Sequence, residues 1–352
     1  MEINRDVYLE RLIVRKNNGF IKVITGIRRC GKSYLLNTLF YNHLKSENIA
    51  EDHIIKFAFD TAQDLIKIGE DPIILDNEKE DRKIDPSKFL NWLMPQIEGD
   101  GMYYLLLDEV QKLGAFESVL NGFLRNSNVD VYVTGSNSKF LSKDILTEFE
   151  GRGDEVHVLP LSFSEYYAFK QGEKGDAYDD YSVYGGLPAV ALMTTEEQKS
   201  TYLISQMKNV YLRDIILRYS VQDEAALGEV IDVIASGIST LTNPRKIAST
   251  MNSVHGTTTC DTTVDKYIGY AEEAFILNRV KRYNVKGRKY IGTPYKIYFE
   301  DIGLRNARLA FRQIEETHIM ENIIYNELRF RGYQVDVGTV ESRERDADGK
   351  EV

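Results

Sequence analysis

Residues Gly26-Ile27-Arg28-Arg29-Cys30-Gly31-Lys32-Ser33 fit the pattern G-x-x-x-x-G-K-[ST] at every fixed position. That spacing suits one purpose, wrapping a peptide loop around phosphate groups. The glycines let the backbone close in on the phosphates, and consecutive amides and the start of the following helix face the negative charge. Lys32 is placed to reach the outer phosphates, and the Ser33 hydroxyl to coordinate Mg²⁺. Tyr34 completes the expected binding segment, and Cys30 reads as a small filler within it.

A second constellation lies some 75 residues downstream, where the apolar run Tyr103 to Leu107 ends in Asp108-Glu109. One carboxylate is enough to hold a metal. Asp108 is expected to take that role, and Glu109 to polarise an attacking water, which favours hydrolysis over transfer to a small-molecule acceptor. The run Val131-Tyr132-Val133-Thr134-Gly135-Ser136-Asn137 repeats the design, with Asn137 expected to contact the γ-phosphate or orient the water. Arg152, between Gly151 and Gly153, is a candidate for stabilising charge on a transferring phosphoryl group, from the same chain or a neighbouring subunit.

These residues need a scaffold that brings strand ends together. Short apolar runs alternate with amphipathic segments over the first 160 or so residues, which predicts an α/β core with a parallel sheet. The predicted strands are Phe20 to Thr25, Ile54 to Phe59, Tyr103 to Leu107, Val131 to Thr134 and Val156 to Leu159. Helices are predicted over Ser33 to Lys45 and Pro86 to Ile97, the second capped by Asp85 with Pro86 in its first turn. From Ser162 the strand signal fades into helices, including Ser162 to Lys170 and Glu197 to Tyr219.

Near Glu224 the composition shifts again. Pro244 to Met251 and Thr262 to Phe275, joined by a turn containing Gly256, predict a helix-turn-helix. The runs Ile276 to Val280 and Tyr295 to Phe299 predict a β-ribbon beside it. Between Ala274 and Phe299 lie seven basic residues, Arg279, Lys281, Arg282, Lys286, Arg288, Lys289 and Lys296, and no acidic one. Two readings stand: backbone contact with double-stranded DNA through Lys281, Arg282, Lys286, Arg288 and Lys289, or packing against protein. Asp261, Asp265, Glu272 and Glu273 make the second helix a poor match for phosphates.

The chain as a whole is acidic, with 44 Lys and Arg against 54 Asp and Glu over 352 residues. This excludes a basic nucleic-acid coat, and the length implies two or three domains. Cys30 and Cys260 are too far apart to suggest a disulfide framework or a Cys-based zinc site, so a reducing, cytoplasmic setting is expected. No stretch has the length and apolarity of a membrane span, and Met1 to Asp6 lacks the apolar core of a signal peptide.

Ile24 to Ser33, Leu107-Asp108-Glu109-Val110-Gln111, Thr134 to Asn137, Gly151-Arg152 and Leu159-Pro160-Leu161-Ser162-Phe163-Ser164-Glu165-Tyr166 together resemble the prokaryotic AAA+ ATPases of the archaeal-type, STAND-related group. The resemblance covers nearly the whole chain. It implies ATP and Mg²⁺ as ligands, a winged helix after the ATPase core, and then a PD-(D/E)XK nuclease-like domain with Glu321 at its helix acid. Four segments are therefore expected: an ATPase core over 1–160, a helical lid or linker over 161–223, a winged helix over 224–300 and an incomplete nuclease-like unit over 301–352. A helix and one strand cannot complete a metal site, so no nuclease activity is expected. The functional expectation is an ATPase that couples nucleotide state to its winged helix, on DNA, as a homo-oligomer or with a protein partner. The alternative is a slow nucleotide-dependent switch that recruits proteins without DNA.

Overall fold

The computed structural model describes residues 3–75, 82–135, 149, 151–256 and 258–340. The chain divides into two compact units, one of residues 1–161 with 187–189, the other of residues 162–186 with 190–352. The last three expected segments thus share one unit.

In the first unit, α1 (Asp6–Ile13) precedes β1 (Ile21–Thr25), and the phosphate loop leads into α2 (Lys32–Tyr34), a π-helical stretch (Leu35–Phe40) and α3 (Tyr41–Ser46). Next come β2 (Ile54–Ala58), α4 (Ala62–Lys67), α5 (Pro86–Leu93), β3 (Tyr103–Asp108), α6 (Phe116–Phe123), β4 (Val129–Thr134) and β5 (Gly153–His157). The sheet order is β2-β3-β4-β1-β5, and every pairing is parallel. Strands covered by helices on both faces should be apolar throughout, and all of β3 is buried. On one face Phe57, Phe59, Phe89 and Trp92 pack with ring centroids 4.7 to 6.1 Å apart. Asp85 caps α5 by accepting from Ser87 N at 2.8 Å, as the sequence predicts.

Lys22 breaks the apolar rule in β1. It is sealed in the core and ion-paired to Asp130 of β4, whose other oxygen accepts from Tyr132 Oη at 3.0 Å and Asn17 N at 2.9 Å. Burial pushes the Lys22 ammonium pKa down, against the pull of Asp130. The fifth strand starts earlier than predicted, because β1 offers partners from Ile21 opposite Gly153 onward. As an edge strand β5 tolerates the polar Asp154 and Glu155 that hide it from an apolar-run search.

The second unit begins with α7 (Phe163–Lys170), α8 (Lys174–Tyr184) and α9 (Glu196–Gln206), followed by a π-helical stretch (Met207–Leu212) and α10 (Arg213–Tyr219). Ser162 and Glu165 form a reciprocal capping box at the start of α7. Three helices follow, α11 (Glu224–Ser236), α12 (Pro244–His255) and α13 (Asp261–Glu273), and then an antiparallel ribbon of β6 (Leu277–Asn284) and β7 (Lys289–Phe299). After α14 (Ile302–Arg308) and α15 (Glu316–Phe330), the short β8 (Val337–Thr339) pairs parallel with β6.

This last part differs from the expected separate nuclease-like start. Tyr325 of α15 stacks on Tyr298 of β7 at 4.2 Å, in a cluster with Val280, Val335 and Val337. Glu321 accepts from Lys296 Nζ at 2.7 Å and Tyr298 Oη at 2.6 Å. The helix and strand find their core on the ribbon, and the acid expected at a metal is tied to a lysine and a tyrosine.

Candidate active site

A parallel sheet collects polar groups at the carboxyl ends of its strands, and the phosphate loop leaves the end of β1. The loop needs its glycines. Gly26 has φ +137°, and a Cβ there would clash with the carbonyl oxygen of Val158 and lie 3.2 Å from Cys30 Sγ. Gly31 has φ +102°. Arg29 also takes a left-handed conformation, at φ 64°, and faces solvent, whereas Ile27 and Cys30 are buried beneath the loop and Arg28 is half-buried. The filler role expected of Cys30 agrees with this burial. Lys32 is buried, with Nζ donating to Gly26 O at 2.9 Å and Ile27 O at 3.0 Å. Tyr34 follows Ser33 in α2, half-buried.

Asp108 ends β3 almost fully buried. Its Oδ1 accepts from the Thr134 hydroxyl and its Oδ2 from Asn37 Nδ2 at 3.1 Å, and the Ser33 hydroxyl is near enough to act on the carboxylate electrostatically. Burial raises its pKa, and Thr134 and Ser33 work the other way. Ser33 and Asn37 lie four residues apart, about one helical turn, so both side chains are on the helix face turned to that carboxylate. The two residues expected to hold Mg²⁺, Ser33 and Asp108, thus lie at the same end of the sheet.

Thr134 also fixes the next residue, since its Oγ1 accepts from Glu109 N at 3.0 Å. Glu109 stands in the left-handed region at φ 54°, ψ 44°, a conformation that costs a non-glycine residue free energy and recurs at functional sites. A 3₁₀ turn, Val110–Lys112, follows and brings the Gln111 amide back to donate to Glu109 Oε2. Across the β2–β3 pairing, Phe59 N donates to Asp108 O at 3.0 Å, so Asp60 joins the same end of the sheet. Desolvation, and then the charges of Glu109 and Asp108, raise the Asp60 pKa. Sequence reading misses Asp60, although an acid follows the apolar run Ile54 to Phe59 just as one follows Tyr103 to Leu107.

Arg5 is also missed. Its buried guanidinium donates to Cys30 O at 3.0 Å and Leu159 O at 2.7 Å, joining the loop to the chain beyond β5. Tyr8, over whose ring Arg5 lies, accepts from Leu159 N at 3.0 Å. Pro188 Cγ comes within 3.7 Å of where a Gly31 Cβ would stand.

Arg152 is a correction as regards its own chain's site. Its carbonyl accepts from Ile21 N at 2.9 Å, at the start of β1. The loop leaves the far end of that five-residue strand, about 16 Å away at ~3.3 Å per residue, so the parallel register keeps Arg152 from the phosphates of its own chain. Asn137 and Ser136 lie outside the described residues.

Among the described residues no three His, Cys, Asp or Glu side chains form a metal cage. One hydroxyl and one carboxylate do suit Mg²⁺, which keeps waters and substrate phosphate oxygens as its remaining ligands.

Residues 18–167 match the family described as AAA domain. An uncharacterized protein of Haemophilus influenzae is 33% identical over 350 residues, spanning 98% of this chain and 83% of the relative. The chain belongs to the AAA-domain P-loop ATPases. Residues 175–315 of this AAA-domain chain match a domain of unknown function (DUF8612). An uncharacterized protein of Methanocaldococcus jannaschii is 26% identical, over 94% of this chain and 70% of that one. A Walker-type ATPase of Pyrococcus abyssi has a similar fold, with a TM-score of 0.59 at 13% identity over 88% of this chain and 96% of that one. The family is one of nucleotide-binding ATPases, and among the described residues no helix is long and apolar enough to cross a membrane.

Proposed function

We propose that the first unit hydrolyses ATP with Mg²⁺ and that nucleotide state moves a winged-helix module, formed by α11 to α13 with β6 and β7, on double-stranded DNA. The buried Asp108 carboxylate, held by Asn37 of the helix behind the phosphate loop and by Thr134, with Glu109 beside it, carries the hydrolytic part. In this reading the loop amides and Lys32 bind the phosphates, Ser33 and Asp108 hold the metal, and Glu109 accepts a proton from the attacking water. Bound Mg²⁺ supplies neutralisation of charge on the phosphate oxygens.

The ribbon supports the DNA part. Lys281, Lys286, Arg288 and Lys289 are exposed at and near its tip. Arg282 is partly committed, donating to Pro294 O at 2.9 Å. Arg279 and Lys296 are occupied by Asp265, Glu272 and Glu321. That neutralisation favours the second reading, a switch that recruits a protein without DNA.

Steady-state turnover tests both parts. Glu109→Gln should retain ATP binding and lose hydrolysis; unchanged turnover excludes Glu109 as the base. Duplex DNA should change the rate, and neutralising Lys286, Arg288 and Lys289 together should lower the salt slope of binding by about 0.9 for each phosphate no longer neutralised. No DNA binding, with a large difference between the ADP and ATP states, selects the protein switch.

A further inference from the structure

The family-like run Asp108-Glu109-Val110-Gln111 ends in a residue that the scheme above does not use. Gln111 is 9% exposed. Its Nε2 donates to Glu109 Oε2, while its Oε1 is buried with no hydrogen-bond partner among the described residues. The orientation follows from the chemistry, since a carboxylate accepts and only the amide nitrogen can face it. A buried carbonyl oxygen without a donor costs about 1 to 3 kcal/mol, and such an exception calls for a reason.

The backbone is built to produce this contact. The left-handed Glu109 turns the chain sharply after β3, and the 3₁₀ turn folds Gln111 back onto the residue two positions before it. Thr134 fixes the Glu109 amide from the other side. The Glu109 carboxylate is therefore held by its neighbour, and that neighbour keeps one acceptor in reserve.

We infer that Gln111 is a catalytic residue that positions the attacking water, its Nε2 fixing Glu109 and its Oε1 accepting the second hydrogen of that water. This deepens the hydrolytic reading and rests on it. A water needs two acceptors to fix its direction, and Glu109 is only one. In the step, the water oxygen bonds to the γ-phosphorus and one proton passes to Glu109. The bond from that phosphorus to the β–γ bridging oxygen breaks, with its electron pair leaving on ADP. The other hydrogen stays on the water oxygen, hydrogen-bonded to Gln111.

The test pairs single-turnover hydrolysis of ATP with equilibrium binding of a fluorescent ATP analogue, for the full chain and for Glu109→Gln, Gln111→Met and Gln111→Glu. Met keeps the volume and removes both polar atoms. Glu keeps the acceptors and loses the donor that holds Glu109. Both Gln111 variants should hydrolyse 10- to 100-fold more slowly, with nucleotide affinity within threefold of the original. A folded variant of either kind with unchanged hydrolysis overturns the inference, as does an affinity that falls in step with the rate. If Glu109→Gln hydrolyses as fast as the original chain, the hydrolytic reading itself fails. Loss in Glu109→Gln alone leaves that reading intact and removes Gln111 from it.

Discussion

Asn37, on the π-helical stretch behind the phosphate loop, donates to Oδ2 of Asp108 at 3.1 Å. With Thr134 on the other oxygen, the carboxylate is gripped from a helix and a strand at once. Residues that orient a metal ligand are commonly worth 10- to 100-fold in metal affinity. Asn37→Ala should raise the Mg²⁺ concentration for half-maximal nucleotide binding about tenfold and leave binding in EDTA within threefold. A Mg²⁺ titration followed by nucleotide fluorescence reads both.

Gly26→Ala asks for a side chain where Val158 O and Cys30 Sγ already stand, at a φ of +137°. The loop must shift, and the carbonyls of Gly26 and Ile27 that receive Lys32 shift with it. Nucleotide affinity should fall at least 100-fold. Circular dichroism should show the sheet retained.

Asp130→Ala removes the partner of a fully buried lysine and leaves Tyr132 Oη and Asn17 N without their acceptor. Breaking one side of a buried pair costs about 3 to 5 kcal/mol. Denaturant unfolding of the chain should shift by that amount. The double variant Lys22→Met, Asp130→Leu should recover much of it, because an apolar pair leaves no stranded charge.

Cys260 stands at the residue before α13, and hydrogen bonds with Thr262 and then Thr263 lower its thiol pKa to about 7. Thiolate is the reactive form and increases as pH rises through about 7. Alkylation by iodoacetamide should therefore climb between pH 6 and 8 at Cys260, while the buried Cys30 reacts slowly throughout. In Thr262→Val the rise should move toward the ordinary thiol range, as read by mass spectrometry of the two cysteine peptides.

The residues proposed to bind nucleotide and metal are legible from type and local spacing. Gly26, Lys32 and Ser33 sit within eight positions of one another, and Asp108 announces itself by ending an apolar run. Residues whose roles depend on long-range register are not. Asn37 meets Asp108 across 71 positions and Arg5 meets Leu159 across 154, distances over which no local pattern carries information. Arg152 departs for the same reason in reverse, for its own chain's site: its motif suggests a phosphate contact, and only the pairing of Ile21 with Gly153 reveals that it sits at the other end of that sheet, which leaves the contact with a neighbouring subunit untouched. Glu321 keeps the look of a nuclease acid until Lys296 and Tyr298 close on it.

The pairing of β8 with β6 bears on solubility. A two-stranded ribbon has two open edges, each a template for another chain. With β8 in place, the residues Arg282 to Asn284 are covered on that side. Of the two edges that remain, the one on β8 is three residues long, and the one on β7 is bridged to Thr242 at Tyr295 and carries Lys289, Lys296 and Pro294, a residue with no amide to donate. The ribbon can thus extend a charged hairpin into solvent with little invitation for its own kind to add a strand.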